Sequence, residues 1–237
     1  MKSKLKILFF TGAGISAESG LQTFRDAVHG LWNNYRIEEV CTYDGWERNP
    51  SLVLDFYNAR RKQCQDAKPN KAHELIAQLE EEFTVTVVTQ NVDNLHERAG
   101  SSNVIHLHGE LMKARSTKDA TLIYDIQEDI KLGDNCEKGS QLRPHIVWFG
   151  EQLEDANINS AIKAAMECNL CVIIGSSLQV YPANQIPSYV HPKSKVVVID
   201  PNDLNVEVDT ENSIHFMKSS AVNGMEELVN VLKNMEL

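Results

Sequence analysis

Two histidines two residues apart, His106 and His108, are the side chains of this sequence best suited to acid–base chemistry. The segment around them is typical of a strand, and because residues two apart in a strand share one face, both histidines are predicted to lie on the same face. A histidine near its ordinary pKa can take a proton from a hydroxyl group at neutral pH. The pair could instead bind a metal, but no third ligand follows at a convincing spacing. A hydrogen-bonded structural histidine remains the alternative for either residue.

A cluster of amide and acidic side chains, Gln90, Asn91 and Asp93, follows another apolar run. The carboxyl edge of a parallel sheet is where such proteins usually form their ligand crevice. Amide and carboxylate groups there could recognise a carboxamide and ribose hydroxyls. The alternative is a polar loop that binds no ligand.

A glycine-rich turn, Gly12-Ala13-Gly14, comes directly after the first apolar run. Glycines at this place let the backbone turn tightly and approach a pyrophosphate at the start of a helix. The dinucleotide-binding pattern GxGxxG is incomplete, because Ala17 holds its third glycine position. A purely structural turn would also explain the first two glycines.

These candidate residues need a scaffold of strands alternating with helices, which the hydrophobic pattern supplies. Apolar residues spaced three and four apart predict a helix over 71–82 capped by Asn70, and a last helix covers 224–235. The strand candidates are residues 5–11, 85–89, 103–107, 170–175, 195–200 and 213–216. Four of them contain the nearly continuous apolar runs LKILFF, VTVVT, LCVIIG and KVVVID, as expected for strands covered on both faces. The pattern predicts an α/β fold with a Rossmann-like, doubly wound parallel sheet.

Two stretches, 28–66 and 113–143, interrupt this rhythm and predict a smaller inserted module. The Rossmann-like domain then consists of 1–27, 67–112 and 144–237. A chain of 237 residues is long enough for this arrangement.

Composition limits the class of protein. No stretch approaches the roughly 18 apolar residues of a membrane span, and the basic, apolar start is interpreted as a core strand instead of a signal peptide. A net charge of −10 argues against a nucleic-acid partner. Five cysteines, an odd number without framework spacing, favour a reducing compartment. We predict a soluble, cytoplasmic protein with neither nucleic-acid nor membrane partners.

Three segments resemble the sirtuin family in their sequence and order. They are GAGISAESGLQTFRD at 12–26, TQNVDNLH at 89–96 and VIHLHGE at 104–110. Further matches extend to Ala221, so the resemblance covers nearly the whole chain. It implies an NAD-dependent protein-lysine deacylase that releases nicotinamide, free lysine and O-acyl-ADP-ribose. In such an enzyme the acyl-lysine carbonyl oxygen attacks the nicotinamide ribose, and a histidine then activates a ribose hydroxyl.

The resemblance also implies a role for individual residues. His108 is the catalytic base and His106 is structural, while Asn91 and Asp93 orient the nicotinamide end. The implied NAD contacts are Gly12, Ala13, Gly14, Ala17, Phe24, Arg25, Gln90, Asn91, Val92, Asp93, Gly175, Ser176, Ser177, Asp200, Pro201, Asn202, Ser220 and Ala221.

The segment Val147-Trp148-Phe149-Gly150-Glu151 resembles the sirtuin segment that binds the substrate peptide as an added strand. Its apolar side chains would line the acyl-lysine tunnel. Without the resemblance, the segment would be interpreted as a core strand.

Tyr57 and Arg60 are the candidate residues for recognition of the acyl group. They lie three apart, on one face of a helix predicted to begin near Pro50. In class III sirtuins a Tyr-x-x-Arg pair binds the carboxylate of succinyl- or malonyl-lysine. A guanidinium suits a carboxylate through paired, charge-assisted hydrogen bonds. The alternative is the solvated basic end of a helix.

One family feature is missing from this sequence. Most sirtuins hold a structural zinc with four cysteines in the small module, but only Cys136 lies between Gly109 and Arg143, and Ser116 stands near the first cysteine position. A single thiolate cannot build a tetrahedral site. Cys168 and Cys171 form a CxxC that we assign to core packing. We predict a module without zinc.

Other functions stay open. ADP-ribosyl transfer or NAD hydrolysis could use the same site, since each cleaves nicotinamide from NAD. A non-catalytic NAD-binding module would leave His108 without a role, and a dehydrogenase would need a substrate domain that the sequence lacks.

Overall fold

The computed structural model describes residues 4–21, 35–204, 206, 208, 211 and 214–234. Its main sheet is parallel throughout, in the order β3-β2-β1-β7-β8-β9. The strands are β1 (Lys6–Thr11), β2 (Thr84–Thr89), β3 (Val104–His106), β7 (Leu170–Ile174), β8 (Lys195–Ile199) and β9 (His215–Met217). The order starts at the centre with β1 and moves outward in both directions, so the predicted doubly wound sheet is confirmed.

Helices cover both faces of this sheet. On one face α5 (Lys71–Gln78) and α8 (Ala221–Asn234) pack against Ile7, Phe9 and other side chains of alternate strand positions. On the other face α7 (Asp155–Glu167) packs against Leu8 and Phe10. Successive residues of β1 therefore enter different cores, which explains why its sequence is apolar without alternation.

The predicted boundaries are close to those observed, with a few corrections. Asn70 caps α5 by accepting a hydrogen bond from the Ala72 N–H, but the helix ends at Gln78 and a 3₁₀ turn, Leu79–Glu81, follows it. Helix α8 begins three residues earlier than predicted, at Ala221. A seven-residue 3₁₀ segment, Ala183–Tyr189, connects β7 to β8.

A second, antiparallel sheet has the order β5-β4-β6. Its strands are β4 (Gly109–Ser116), β5 (Ile123–Asp125) and β6 (Leu142–Ile146). Short helices α2 (Ile37–Val40) and α3 (Tyr43–Arg48) and the long helix α4 (Pro50–Asp66) precede it, and a shared core joins them to it. The sheet extends beyond the predicted limits of 113–143 at both ends. The division of the chain into two units at these limits stays a prediction.

The two remaining short helices are α1 (Gly14–Ala17) and α6 (Leu95–Ala99), which follow β1 and β2. The interpretation of residues 147–151 as a strand is wrong, because β6 ends at Ile146 and only Phe149 forms an isolated bridge, with Thr42. No helix within the described part of the chain is long and apolar enough to cross a membrane.

Candidate active site

The glycine-rich turn after β1 packs against the loop after β7. A Cβ on Gly12 would lie 2.7 Å from the Gly175 carbonyl oxygen, and one on Gly14 would lie 2.6 Å from the Gly175 Cα. Gly175 itself has a φ of +58°. The glycines are thus required by the contact between two backbones, in addition to the tight turn that the sequence predicts.

Asn91 and Asp93 lie beside this turn, and both form hydrogen bonds with Ser16, which follows it. The Asn91 amide donates hydrogen bonds to the Gly12 carbonyl oxygen and to Ser16 Oγ, both at 3.2 Å. Ser16 Oγ donates in turn to Asp93 Oδ2 at 3.0 Å. All three side chains are buried. Burial raises the pKa of Asp93, although hydrogen bonds from Leu95 and Ser16 favour its ionised form.

Gln90 connects this cluster to the loop after β7 and to His108. Its side-chain amide donates to Ser176 Oγ at 3.0 Å, and its backbone carbonyl oxygen lies 2.9 Å from His108 Nδ1. A carbonyl oxygen can only accept, so Nδ1 of His108 carries the proton, and Nε2 of the neutral ring can take another. Burial lowers the pKa of His108, which favours this neutral form near pH 7.

His106 and His108 do not share a strand face as the sequence predicts, because β3 ends at His106 and His108 lies in the bend that follows. Their Nδ1 atoms nonetheless lie within hydrogen-bond distance of the backbone carbonyl oxygens of two consecutive residues, Asn91 and Gln90. His106 Nδ1 lies 3.0 Å from the Asn91 oxygen, and its Nε2 lies 2.7 Å from Glu97 Oε1. With both nitrogens engaged, the HxH pair is not arranged as a metal site.

Other predicted NAD-binding positions surround the same sheet edge. Ala13 and Ser177 are half-buried, Ala17 is exposed, and Val92 accepts a hydrogen bond from the Leu111 N–H through its carbonyl oxygen. Phe24 and Arg25 lie outside the described residues.

The predicted adenosine side adjoins a surface cavity of about 230 Å³. Asp200, Asn202 and the apolar Leu204 and Phe216 contribute to its wall. It is smaller than typical small-molecule pockets of roughly 300–1,000 Å³. Pro201 and Asn202 are exposed.

The end of the site at α8 is held by a residue that sequence reasoning did not select. Glu18 accepts hydrogen bonds from Ser220 Oγ at 3.1 Å and from the Val222 N–H at 3.0 Å. Ala221 is buried at the first position of α8. Ser16, another residue that was not selected, lies within the GAGIS motif, and that position was the available signal.

Two buried histidines, His73 and His96, lie next to each other below the loops that follow β1 and β2. Their rings stack edge to face at 4.8 Å, and His96 Nε2 contacts Thr11 Oγ1 at 3.1 Å. Neither His73 Nε2 nor His96 Nδ1 has a hydrogen-bond partner among the described residues. Burial lowers the pKa of His73 to about 4 and that of His96 well below its usual value.

This pair predicts acid sensitivity of the fold. The pKa of His73 is about 4 in the folded state and about 6.5 unfolded, so the unfolded chain binds the proton more readily. The stabilisation is complete above pH 6.5 and is lost as the pH falls toward 4, with a limit of roughly 3 kcal/mol. In His73→Gln, the free energy of unfolding should fall less steeply over this range, measured by urea denaturation at several pH values. Exposed His191→Gln is the control, and parallel curves for all three proteins would contradict the assignment.

The predicted acyl-recognising pair lies at the second sheet. Tyr57 is 3% exposed. Its hydroxyl accepts a hydrogen bond from Trp148 Nε1 at 3.1 Å and donates one to Cys41 Sγ at 3.6 Å. Burial raises the pKa of Tyr57 well above its usual value, so the hydroxyl keeps its proton, although the Arg60 charge favours ionisation.

The two adjacent arginines of α4 differ in their surroundings. Arg61 is 1% exposed and donates to the Leu111 carbonyl oxygen at 2.8 Å and to Asn58 Oδ1 at 2.8 Å. Arg60 is half-buried, and its guanidinium carbon lies 5.8 Å from the centre of the Phe56 ring. The Arg60 charge also lowers the pKa of Cys41, against the larger effect of burial. Arg61 is therefore structural, and Arg60 is the cation near Tyr57 and Cys41.

The predicted peptide-binding segment is fixed by its own glutamate. Glu151 accepts hydrogen bonds from both ends of the Arg143 guanidinium, at 2.6 and 2.8 Å, and from Arg115. It also accepts one from the Trp148 N–H at 2.8 Å. The Arg143 guanidinium stacks on the Trp148 ring at 3.3 Å. Glu151 thus positions the segment, and its carboxylate is turned toward two arginines.

The backbone N–H groups of this segment are largely engaged within the protein. Val147 donates to the His108 carbonyl oxygen at 3.0 Å, and Phe149 donates to that of Cys41 at 2.9 Å. Phe149 is 49% exposed and Gly150 has a φ of +88°. A peptide added here would have to use carbonyl oxygens of the segment more than its donors.

Ser116, which the sequence places near the first zinc cysteine of the family, belongs to a hydrogen-bonded cluster of three small side chains. Ser116 and Ser140 Oγ atoms lie 2.8 Å apart, and Cys136 Sγ lies 3.1 Å from Ser140 and 3.5 Å from Ser116. One thiol and two hydroxyls do not fit a tetrahedral zinc site, which takes four thiolate or imidazole ligands. No group of three or more metal-binding side chains occurs within the described ranges.

Cys168 and Cys171 belong to the core of the main sheet, and both are buried. Burial raises the pKa of Cys168 to about 11 and that of Cys171 well above its usual value. Both thiols are therefore protonated at neutral pH and act as small apolar side chains.

Comparisons with known proteins match this arrangement. A family model described as "Sir2 family" matches residues 12–182. The "NAD-dependent protein deacylase" of Bacteroides thetaiotaomicron is 50% identical over 232 residues, covering 95% of this chain and 97% of the relative. The protein of the same description from Helicobacter pylori strain 26695 is 47% identical over 229 residues, covering 97% of this chain and 98% of the relative.

Solved structures are similar over the same length. A Sir2 homologue in complex with NAD superposes with a TM-score of 0.86 at 36% identity, covering 97% of this chain and 90% of that one. A mutant Sir2 homologue in complex with ADP-ribose has a TM-score of 0.87 at 35% identity, covering 99% and 95%.

Proposed function

This chain belongs to the Sir2 family of NAD-dependent protein deacylases, and we propose that it removes preferentially succinyl and malonyl groups from lysine side chains. The products would be free lysine, nicotinamide and O-acyl-ADP-ribose. The observation that carries the proposal is that the buried Tyr57 hydroxyl, which accepts a hydrogen bond from Trp148 Nε1, lies within range of the Arg60 charge, which lowers its pKa against the larger effect of burial.

The residues present fit NAD as the cofactor. Loops after β1, β2, β7 and β8 bring glycine turns, amides and hydroxyls to one sheet edge, where hydrogen bonds from Gln90 to Ser176 and from Asn91 to Gly12 join them. When bound, NAD supplies the ADP-ribosyl group that receives the acyl group as nicotinamide leaves. Asn91 and Asp93 would orient the nicotinamide end, as the sequence predicts, and Ser16 joins them as a positioning residue.

His108 would act as the base through its Nε2 atom. The hydrogen bond from Nδ1 to Gln90 fixes both the tautomer and the direction of the ring. The lowered pKa keeps the ring neutral at pH 7, so it can take a proton from a ribose hydroxyl. Burial around it limits access of water to the reacting centre.

Recognition of an acidic acyl group would use the Tyr57 hydroxyl and the Arg60 guanidinium. The Tyr57 hydrogen is now directed at Cys41 Sγ, and sulfur is a weak acceptor. A carboxylate is a stronger acceptor, so the hydroxyl should turn to it. Because Trp148 donates to the same hydroxyl oxygen, the pair is connected to the peptide-binding segment.

The proposal is tested by incubating the protein with NAD and matched succinyl-lysine and acetyl-lysine peptides, following peptide mass and nicotinamide together. Faster removal of succinyl than of acetyl supports the proposal. Equal or faster removal of acetyl would contradict the acyl preference. Nicotinamide release without deacylation would favour ADP-ribosyl transfer or NAD hydrolysis at the same site.

We also propose that the small module holds no zinc, because Ser116, which the resemblance sets near the first zinc cysteine, has only the Ser140 hydroxyl and the Cys136 thiol as side-chain partners among the described residues. Metal analysis of protein purified without chelator should find far less than one zinc per chain. EDTA should leave the melting temperature and deacylation unchanged. A stoichiometric zinc content, or a lower melting temperature with EDTA, would refute this prediction. The cytoplasmic location stays a prediction.

A further inference from the structure

Each of the two ring nitrogens of His106 faces a hydrogen-bond acceptor. Nδ1 faces the Asn91 carbonyl oxygen at 3.0 Å, and Nε2 faces Glu97 Oε1 at 2.7 Å. A neutral imidazole has one N–H and can satisfy only one acceptor. Both contacts are satisfied together if both nitrogens carry protons and Glu97 is ionised.

The surrounding charges agree with an imidazolium. Burial alone would lower the pKa of His106, but the hydrogen bond and charge of Glu97 outweigh it, so that the pKa is raised above 6.5. Although burial opposes it, the hydrogen bond from His106 lowers the pKa of Glu97. Because the glutamate stays ionised, a proton on its carboxyl group does not explain the short contact.

The groups that face His106 come from each element packed against it. Glu97 and His96 lie on α6, Glu110 lies on β4, and Asp93 lies in the loop before α6. Three of these are acids that favour the proton on His106, whereas His96 is neutral because burial lowers its pKa well below the usual range. The charge of Lys113 acts on Glu97, in the same direction as that of His106.

His106 holds the backbone of a residue in the proposed nicotinamide site. Asn91 is fixed on three sides: its N–H donates to Thr89 Oγ1 at 3.0 Å, its side chain donates to Gly12 and Ser16, and its carbonyl oxygen faces His106. The third anchor reaches, through His106, to Glu97 on α6. Loss of the His106 proton breaks one side of this connection.

We propose that protonated His106, held by Glu97, is a positioning residue that fixes the Asn91 to Asp93 loop for NAD binding and turnover. The inference rests on the proposed role of Asn91. Loss of the proton at alkaline pH then leaves either the Asn91 oxygen or the Glu97 carboxylate without a donor. Activity should fall as the pH rises through the raised pKa of the pair, while His108 governs the acid side of the profile.

Glu97→Gln separates this role from a general structural one. Gln keeps an oxygen at the end of the side chain but removes the charge, so His106 should lose its proton at lower pH. The ratio of kcat/KM for NAD between the variant and wild type should be closest to one at acidic pH, where a larger fraction of His106 is protonated in both proteins. Above the pKa of His106 in both proteins, the variant should fall below wild type by about tenfold for each pH unit by which its pKa is lower, because the protonated fraction falls in proportion. Glu97→Asp should restore part of the loss.

Nuclear magnetic resonance gives a readout that does not need NAD or substrate. The imidazole signals of His106, assigned by their loss in His106→Gln, should show two protonated nitrogens at neutral pH. In Glu97→Gln the titration should move to lower pH. Glu74→Gln, a change of an exposed glutamate on α5 that pairs with Lys71, is the matched control and should change neither profile.

Two results would overturn the proposal. One is a His106 that titrates at or below its ordinary pKa in the wild-type protein. The other is a Glu97→Gln variant whose activity is lowered equally at every pH, which indicates a structural role only. Each variant is compared with wild type on the acyl peptide that wild type turns over fastest. The test of His106 therefore does not depend on whether that acyl group is succinyl or acetyl.

Discussion

His108→Ala should lower the rate of deacylation by about 10²- to 10⁴-fold, the usual contribution of a general base. The reason is that no other described side chain directs an unprotonated nitrogen at this place with its tautomer fixed by Gln90. The measurement is kcat with NAD and an acyl-lysine peptide, followed by peptide mass. Circular dichroism and melting temperature should stay close to wild type, because His108 is half-buried and at a loop.

The wild-type pH profile provides a second check on this assignment. Since the pKa of His108 is lowered, activity should rise as the pH increases through a value below 6.5. Exposed His191→Ala is the control for loss of an imidazole. Retention of more than about a tenth of wild-type kcat by His108→Ala would exclude its role as the base.

Arg60→Met should lower the ratio of succinyl to acetyl removal by about 10- to 100-fold, as expected when a charged hydrogen bond to a carboxylate is lost. The methionine keeps the aliphatic length but cannot neutralise the acyl carboxylate. Removal of acetyl, which carries no charge, should change little. The measurement is kcat/KM for both peptides at saturating NAD.

Lys62→Met, at an exposed position of the same helix, is the matched control. It removes one positive charge without touching Tyr57 and should leave the ratio unchanged. An unchanged ratio in Arg60→Met would refute the assignment of the pair. Tyr57→Phe is a weaker test, because it would leave Trp148 Nε1 buried without its acceptor and destabilise the fold by about 1–3 kcal/mol.

The main sheet could be predicted from sequence because its physical signal is local. Runs such as KILFFT and LCVII consist almost entirely of apolar residues on both faces, and such strands are stable only when covered on both sides. The helix capped by Asn70 was also predictable from its spacing and cap. The end of that helix at Gln78 was not, because the following 3₁₀ turn has no residue type that marks it.

The site was predictable in outline, mainly through resemblance, while its connections were not. Arg60 and Arg61 are adjacent, and only the fold distinguishes the one that donates to Leu111 from the one near Tyr57. The binding of Glu151 by Arg115 and Arg143 joins residues from two strands and a loop. Such contacts depend on register and packing, which a single sequence does not display.

The backbone contact between the loops after β1 and β7 has a consequence for how this protein can change over generations. Gly12 and Gly14 lie against the backbone of Gly175 and Ser176 so closely that neither position has room for a Cβ. A side chain gained at one of these positions cannot be compensated at the other, since no amino acid is smaller than glycine. A second substitution at the facing glycine therefore cannot restore the contact, although the two segments lie some 160 positions apart in sequence.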